Sequence, residues 1–304
     1  MRRAALSLLV AACGALIAGG AIGAAATAPI DDGVTVAAPA VRIPANSRPP
    51  TPTGPDPALL VSDSAWLGMQ TYAGVDQVQG FEHTLSLASC RRRVATSCTN
   101  YNGYVPITLY EEVEAAAPGF RTLIVATGYN DGDARFAEDV EAVAELARSK
   151  GYRRIVWLTL RSNVSYTSPG DTGFAEVFER SNATLKQIVA DGTHPEIVVA
   201  DWATYARDQP SWFAGDGIHL RLLGGYAAGD YISRKMAFLD ARACPQPAYA
   251  GVAPLDPCPD PDEHGPVIDL ASIYPTDRGQ GLAFTLLYEG SSSWPDPPWW
   301  ESAA

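Results

Sequence analysis

The sequence contains little positive charge. Its 304 residues include 22 Lys and Arg against 34 Asp and Glu, and the formal net charge is −12 at pH 7. A strongly acidic surface repels phosphate backbones and anionic lipid headgroups. This composition argues against nucleic acid or an anionic membrane surface as a partner.

Long apolar runs are absent after the first 28 residues. At the start of the chain, Met1-Arg2-Arg3 precedes an uncharged run rich in Ala, Leu, Ile and Gly, from Ala4 to Ala28. This pattern is typical of a secretory signal peptide. Two alternatives stay open: the segment could remain as a membrane anchor, or Cys13 could be lipidated, since it ends a lipoprotein-like box. We therefore expect a secreted or cell-surface protein, and association with the cell envelope is left open.

Cysteine is scarce, and four of the five cysteines follow the signal segment: Cys90, Cys98, Cys244 and Cys258. An even number in an exported chain favours disulfides. Four cysteines allow three pairings, and proximity in sequence favours Cys90–Cys98 and Cys244–Cys258; free buried thiols are the alternative. No histidine stands at ligand spacing from these cysteines, so they predict no zinc site.

Composition divides the chain into four parts. Residues 1–28 are the signal segment, and residues 29–57, rich in Ala, Pro and Thr, cannot bury a core and predict an extended linker. Residues 58–243 form the folded domain. Residues 244–304 form a C-terminal extension rich in Pro, Asp and Trp, to which the sequence assigns no role.

Within residues 58–243, short apolar runs alternate with amphipathic helical patterns. The predicted strands are Ala58–Ser62, Phe81–Leu87, Thr122–Thr127, Arg154–Leu160 and Glu196–Asp201. The predicted helices are Trp66–Tyr72, Thr108–Ala117, Ala134–Ser149, Glu176–Ala190 and Leu223–Asp240. This alternation is typical of a three-layer α/β/α domain with a five-stranded parallel sheet. We predict the flavodoxin-like strand order 2-1-3-4-5.

Polar residues follow the first and third predicted strands, at the carboxyl edge of the sheet where α/β proteins place their chemistry. Ser64 stands just after the first strand, where a serine hydroxyl can act as a nucleophile. Asn130 follows the third strand, and its side-chain amide can donate to a developing oxyanion. Each stretch alone is also compatible with an ordinary turn or helix cap.

Asp216 and His219 follow the fifth predicted strand, three residues apart. This spacing lets the carboxylate accept the imidazole Nδ1–H and leaves Nε2 for a hydroxyl group. Combined with Ser64 and Asn130, the pair completes a set of nucleophile, base, orienting carboxylate and oxyanion donor at one edge of the sheet.

Three stretches together resemble the first, third and fifth sequence blocks of the SGNH (GDSL-type) hydrolase family: Ser62-Asp63-Ser64-x-x-x-Gly68, Gly128-x-Asn130-Asp131 and Asp216-x-x-His219. The resemblance covers residues 58–240. It implies the flavodoxin-like SGNH hydrolase fold, ester cleavage through an acyl-enzyme, and no metal or other cofactor.

The resemblance also implies a role for each matching residue. Ser64 would be the nucleophile, His219 the general base and Asp216 the carboxylate that orients it. The Ser64 backbone N–H and the Asn130 side chain would be oxyanion-hole donors.

The sequence departs from the family pattern at two places. Ser62 stands where the family usually has glycine in the first block. The second block normally supplies a glycine N–H to the oxyanion hole, but here Ala88-Ser89-Cys90-Arg91 follows the second strand. We expect the Ser89 backbone N–H to serve instead, since a donor needs only an amide, with a Cys90–Cys98 bridge to hold the loop.

Four further residues are candidates for substrate binding. Arg91 belongs to a basic cluster that could receive an anionic group, although a solvated loop is the alternative. Arg161 lies just past the fourth strand. Trp66 and Tyr129 flank the proposed site residues and are candidates to line a pocket, with core packing as the alternative.

These features predict an exported serine esterase acting on a small molecule, a lipid or an acylated polysaccharide. One alternative is an O-acyltransferase of the same family, which would pass the acyl group to a sugar hydroxyl with the same residues. The other is a non-catalytic cell-surface binding module on the same fold, suggested by the missing second-block glycine and the Trp-rich C-terminal extension.

Overall fold

β1 (Ala58–Ser62) is the second strand of a parallel sheet in this computed structural model, which describes residues 52, 56–71, 78–100, 102–164, 173–245 and 255–265. It pairs with β2 (His83–Leu87) on one side and β3 (Thr122–Ala126) on the other. β4 (Arg154–Leu158) and β5 (Ile197–Ala200) continue the sheet. The order β2-β1-β3-β4-β5 confirms the predicted α/β fold and its flavodoxin-like strand order.

Both faces of the sheet are covered, which explains why β1 and β3 in its interior are nearly unbroken apolar runs, whereas the edge strand β2 (His-Thr-Leu-Ser-Leu) is not. Successive residues of a strand point to opposite faces. Leu60 and Ile124 therefore belong to one core, and Leu59, Val61 and Leu123 belong to the other.

The described residues form seven α-helices: α1 (Leu67–Thr71), α2 (Leu109–Ala115), α3 (Phe136–Ser149), α4 (Phe174–Ala190), α5 (Trp202–Tyr205), α6 (Leu222–Leu239) and α7 (Pro261–His264). α2 and α3 line one core, and α1, α5 and α6 line the other. α4 contributes Phe178 to one core and Leu185 to the second.

The predicted elements are all present, and the differences lie at their ends. β2 begins two residues later than predicted and β4 ends two residues earlier. Ahead of α1, helical backbone already begins with a 3₁₀ turn at Ser64–Trp66. The cause is Asp63, whose side chain caps this turn.

Both predicted disulfides, Cys90–Cys98 and Cys244–Cys258, are present. The second joins the segment after α6 to the segment before α7. Lys235 of α6 donates to Asp260 at 2.8 Å and to Asp262 at 2.6 Å. Residues 255–265 of the predicted C-terminal extension thus pack against the domain.

Several predictions concern residues that lie outside the described ranges. These are the signal segment 1–28 with Cys13, nearly all of the linker 29–57, the end of the first predicted helix at Tyr72, and residues 266–304 with their tryptophans. Among the described helices, none combines the length and the hydrophobicity needed to cross a bilayer.

Candidate active site

Ser64 lies at the carboxyl end of β1, on the first residue of the 3₁₀ turn. Its neighbours Ala65 and Trp66 are buried, while Ser64 is half-buried. Asp63 fixes the turn, because its Oδ1 accepts the Ala65 N–H at 2.9 Å. The chain therefore leaves the buried strand with the serine at the sheet edge.

The other carboxylate oxygen of Asp63 ties this turn to the loop after β3. Oδ2 accepts the backbone N–H groups of Gly128 and Tyr129, each at 2.9 Å. Burial raises the pKa of Asp63, and the amide hydrogen bonds act in the opposite direction. Asp63 is thus the helix cap that the sequence allowed for this stretch, and its bonds to the loop after β3 have no signal in the sequence.

The Asp216–His219 turn brings the predicted carboxylate and imidazole together. Asp216 Oδ1 accepts the backbone N–H of Ile218 at 2.8 Å and of His219 at 3.1 Å. Asp216 Oδ2 lies 2.6 Å from His219 Nδ1. Gly217 between them has φ +76°, a left-handed conformation that favours glycine.

The charged form of Asp216 is favoured by these contacts. Burial alone would raise the pKa of Asp216, but the hydrogen bonds from the His219 side chain and from two backbone amides outweigh it. The pKa of Asp216 is consequently held below its usual value. A carboxylate at this position accepts the Nδ1 proton and leaves Nε2 as an acceptor.

His219 Nε2 lies 3.0 Å from Ser64 Oγ, across 155 positions of sequence. Three predicted residues, from the loops after β1 and β5, thus form one hydrogen-bonded array of hydroxyl, imidazole and carboxylate. This geometry allows the imidazole to take the serine proton.

The two loops also join through their backbones. The Leu220 N–H donates to the Ala65 carbonyl at 3.0 Å. Gly68 of α1 packs directly under this contact, since a Cβ added there would lie 2.2 Å from the Leu220 carbonyl oxygen. The glycine of the first block is therefore required by the close approach of the histidine loop.

Asn130, the predicted oxyanion donor, is held by the segment after β2. Its Nδ2 donates to the Arg91 carbonyl at 3.2 Å, and Arg92 Nε donates to the Asn130 carbonyl at 2.9 Å. An amide NH₂ has two donors, so one N–H orients the side chain and the second remains for a ligand.

The two predicted backbone donors of the oxyanion hole are available. Within the described ranges, neither the Ser64 nor the Ser89 N–H has a hydrogen-bond acceptor. The departure at Ser62 is accommodated as well, because its Oγ donates to the Ala126 carbonyl at 2.8 Å. The serine side chain is completely buried there and its hydroxyl is satisfied.

Arg91 corrects one prediction. It was a candidate to bind substrate or to lie in a solvated loop, but it is 1% exposed. Its guanidinium donates to Ser86 O at 2.6 Å and pairs with Glu112 at 3.1 Å. Burial lowers the pKa of Arg91, and the neighbouring Glu112 acts against that shift. Both readings were wrong: Arg91 is a core residue beneath the Ser89 loop.

Replacing Arg91 by methionine should therefore destabilise the fold. The change leaves the Glu112 carboxylate buried without its partner, which typically costs about 3–5 kcal/mol of unfolding free energy. The matched control is Arg135→Met, because Arg135 pairs with Glu138 at the surface, with both side chains more than 60% exposed. That variant should change stability by less than about 1 kcal/mol. Urea unfolding of both variants measures the difference, and equal effects would contradict the assignment.

The other three substrate-binding candidates are also buried. Trp66 is 2% exposed and its ring centroid lies 5.3 Å from that of Trp202. Tyr129 packs edge-on against Phe178, and Arg161 is 3% exposed. Trp66 and Tyr129 belong to the core, which is the alternative that the sequence left open, and Arg161 is buried beneath the loops.

His194 has partners that the sequence did not reveal. Its Nε2 lies 2.7 Å from Glu141 Oε2 and its Nδ1 lies 3.2 Å from Glu196 Oε1. Glu196 precedes β5, so this contact lies at the amino end of the strand, away from the Asp216–His219 turn.

A cavity of about 980 Å³ also lies at the amino ends of the strands. His83, Thr122 and Arg154, the first residues of three strands, line it, and the Ser64–His219 array does not. Ligands of such sheets bind at the carboxyl ends, where the array stands. Within the described residues, no group of three His, Cys, Asp or Glu could hold a metal ion.

A scan against protein-family models finds no match, and a search of curated proteins finds none either. A search of solved structures finds similar chains at low sequence identity. The C-terminal catalytic domain of Streptococcus pneumoniae peptidoglycan O-acetyltransferase A is 18% identical, with 58% of this chain and 89% of that one covered and a TM-score of 0.40.

Two further structures belong to the same set. A carbohydrate acetylesterase from Sinorhizobium meliloti is 16% identical, with 60% of this chain and 99% of that one covered and a TM-score of 0.43. A GDSL-like lipase from Bacteroides thetaiotaomicron is 10% identical, with 57% and 83% covered and a TM-score of 0.39.

Proposed function

We propose that this chain is a serine esterase of the SGNH (GDSL-type) family that cleaves its substrate through an acyl-enzyme. One observation carries the proposal: Ser64 Oγ lies 3.0 Å from His219 Nε2, and His219 Nδ1 lies 2.6 Å from Asp216 Oδ2. An ordinary capped turn needs neither contact, whereas nucleophilic activation of a serine needs both.

The first half of the reaction acylates Ser64. His219, in its neutral form, accepts the hydroxyl proton while Ser64 Oγ attacks the carbonyl carbon of the ester. The negative charge that develops on the carbonyl oxygen is stabilised by the Ser64 N–H, the Ser89 N–H and the free N–H of Asn130. His219 then returns the proton to the leaving alcohol.

The second half releases the acid. A water molecule takes the place of the alcohol, His219 accepts its proton, and the hydroxide attacks the acyl carbon to form a second tetrahedral intermediate. The bond from that carbon to Ser64 Oγ then breaks, His219 returns the proton to Ser64, and the free acid leaves. Asp216 stabilises the imidazolium in both halves, because its carboxylate accepts the Nδ1–H throughout.

Two disulfides in the described part of the chain support an exported enzyme, because such bonds persist in oxidising compartments. The acidic composition is compatible with an uncharged or weakly charged ester as substrate. We therefore propose a secreted or cell-surface location, with a small-molecule, lipid or acylated-polysaccharide ester as substrate.

A serine-directed fluorophosphonate and a panel of p-nitrophenyl esters from acetyl to palmitoyl test the function. Wild type should react with the fluorophosphonate and cleave part of the panel, and His219→Ala should do neither at a comparable rate. A folded but unreactive wild type would overturn the proposal and favour a binding module. Adding sugar acceptors to the assay distinguishes an acyltransferase, which would form an acylated sugar in place of free acid.

The role of the Ser89 amide gives a separate prediction. Ser89→Ala keeps the backbone N–H and should keep activity within about twofold, while Ser89→Pro removes it. The loss of one oxyanion donor should lower kcat by about 10²-fold. The control is Ala95→Pro, in the neighbouring loop that the Cys90–Cys98 disulfide closes, where the residue is exposed and its N–H has no acceptor in the described ranges. Equal activity of the two Ser89 variants would exclude the backbone donor.

A further inference from the structure

Tyr129 and Arg161 join the loops that carry the proposed site residues. The backbone N–H of Tyr129 donates to Asp63 Oδ2 at 2.9 Å, and the Tyr129 hydroxyl accepts the backbone N–H of Arg161 at 2.7 Å. Arg161 Nη1 donates to the Gly217 carbonyl at 2.7 Å. A buried chain of hydrogen bonds therefore runs from the turn before Ser64 to the Asp216–His219 turn.

The guanidinium of Arg161 is surrounded by backbone carbonyls. Besides Gly217, it donates to Asn163 O and, at 3.3 Å, to Ala206 O, and it lies 4.3 Å from the Phe213 ring centroid. No carboxylate of the described residues lies within ion-pair distance of it. With a further bond from Nη2 to the Arg207 carbonyl, the guanidinium makes four hydrogen bonds to loop backbones, which a planar, multidentate group does well.

Gly217 rests directly on this guanidinium. A Cβ added at Gly217 would lie 2.9 Å from Arg161 Nη1 and 2.8 Å from the Asn163 carbonyl oxygen. Asp216 and His219 stand on either side of Gly217, so a movement of Gly217 carries the imidazole with it. Ser64 is positioned separately, because it follows β1 directly and Asp63 caps its turn.

We propose that Tyr129 and Arg161 are positioning residues that fix where the Asp216–His219 turn lies relative to Ser64. This inference rests on the proposed function of the same site. Neither side chain reaches a bound ester, because Tyr129 is 8% and Arg161 is 3% exposed. Their effect is therefore on the 3.0 Å contact between Ser64 and His219, and a misplacement of about 1 Å at such a contact can cost about 10²-fold in rate.

Tyr129→Phe is the first test, and Tyr152→Phe is its matched control. Both tyrosines are buried, but the Tyr152 hydroxyl has no hydrogen-bond partner among the described residues. Tyr129→Phe leaves the Arg161 N–H without its acceptor and should lower kcat by about tenfold with KM within about twofold. The fluorophosphonate inactivation rate should fall by the same factor. Tyr152→Phe should change neither.

Arg161→Lys is the second test. It keeps the positive charge, but a single ammonium group cannot hold carbonyls on three segments, so kcat should fall by about tenfold or more. Activity is expressed per reactive serine, titrated with the fluorophosphonate, so that partial unfolding does not count as a catalytic effect. The double variant should be close to the more severe single variant, because both changes break the same chain.

A spectroscopic measurement makes the inference independent of any substrate. The proton between His219 Nδ1 and Asp216 gives a low-field NMR resonance, which Tyr129→Phe should shift or broaden and Tyr152→Phe should leave unchanged. A raised KM with unchanged kcat would show that the residues bind substrate, and an unchanged kcat per titrated serine, with only a lower Tm, would show a purely structural role. Either result overturns the inference while the esterase function stands; an inactive, unreactive wild type removes the function itself.

Discussion

Replacing Ser64 by alanine should reduce ester hydrolysis by about 10⁴-fold or more and abolish labelling by the fluorophosphonate. The expected loss is large because the variant lacks the atom that would form the acyl bond, and the hydroxyl of Ser62, two residues away, cannot take its place. Ser62 is completely buried and its hydroxyl is bonded to the Ala126 carbonyl. The initial rate with the best p-nitrophenyl ester of the panel, measured against the uncatalysed rate, gives the size of the effect.

The fold of the Ser64→Ala variant should be preserved. The only hydrogen bond of the Ser64 hydroxyl in the described ranges is to His219, and Ser64 is the half-buried member of its turn. We expect Tm within a few degrees of wild type, since removing one partly exposed hydroxyl costs about 1 kcal/mol at most. Ser149→Ala, an exposed serine at the end of α3, is the control for labelling. A Ser64→Ala protein that still incorporates the probe would assign the nucleophile elsewhere.

The strands and their order could be predicted from the sequence because a parallel sheet covered on both faces leaves an unmistakable pattern of apolar runs. The same topology explains why the predicted site residues meet. Ser64 and His219 are 155 positions apart, yet both follow strands whose carboxyl ends share one edge. Residue type and strand position were therefore sufficient to bring them together.

How deeply a side chain is buried below that edge could not be predicted from the sequence. Tyr129 and Arg161 follow β3 and β4, where a side chain can point to the substrate or turn under the loops, and only the packed loops decide between these directions. Arg161 turns under because carbonyls of several segments converge on its guanidinium. A conformation that depends on that many separate backbone segments leaves no local signal in the sequence.

The arginine cluster after β2 shows that the burial of charged side chains could not be predicted from the sequence either. Three consecutive arginines ordinarily predict a solvated segment, yet Arg91 and Arg93 are both 1% exposed. Their partners, Glu112 and Asp139, lie 21 and 46 positions further along the chain. Burial of a charge depends on such a distant partner, so composition around the cluster could not reveal it.

Asp216→Asn should lower activity nearly as much as the loss of the nucleophile, because it reverses the direction of the hydrogen bond between residue 216 and His219 Nδ1. Asp216 Oδ1 accepts two backbone N–H groups, from Ile218 and His219. In the asparagine variant the amide oxygen has to keep that position, since an NH₂ group there would face two donors. The Nδ2 of the new side chain then faces His219 Nδ1 and makes it the acceptor.

The imidazole proton consequently moves to Nε2, where it faces Ser64 Oγ at the contact that is 3.0 Å long in wild type. A nitrogen that carries a proton cannot accept one, and kcat/KM at neutral pH should fall by about 10³- to 10⁴-fold.

Asp216→Ala allows either tautomer and, where it folds, should retain more activity than the asparagine variant. Simple loss of charge would not produce this order. Asp208→Asn, at an exposed position, is the control for removing one carboxylate and should keep full activity. An Asp216→Asn enzyme with more than about a tenth of wild-type kcat/KM would mean that the carboxylate does not select the tautomer of His219.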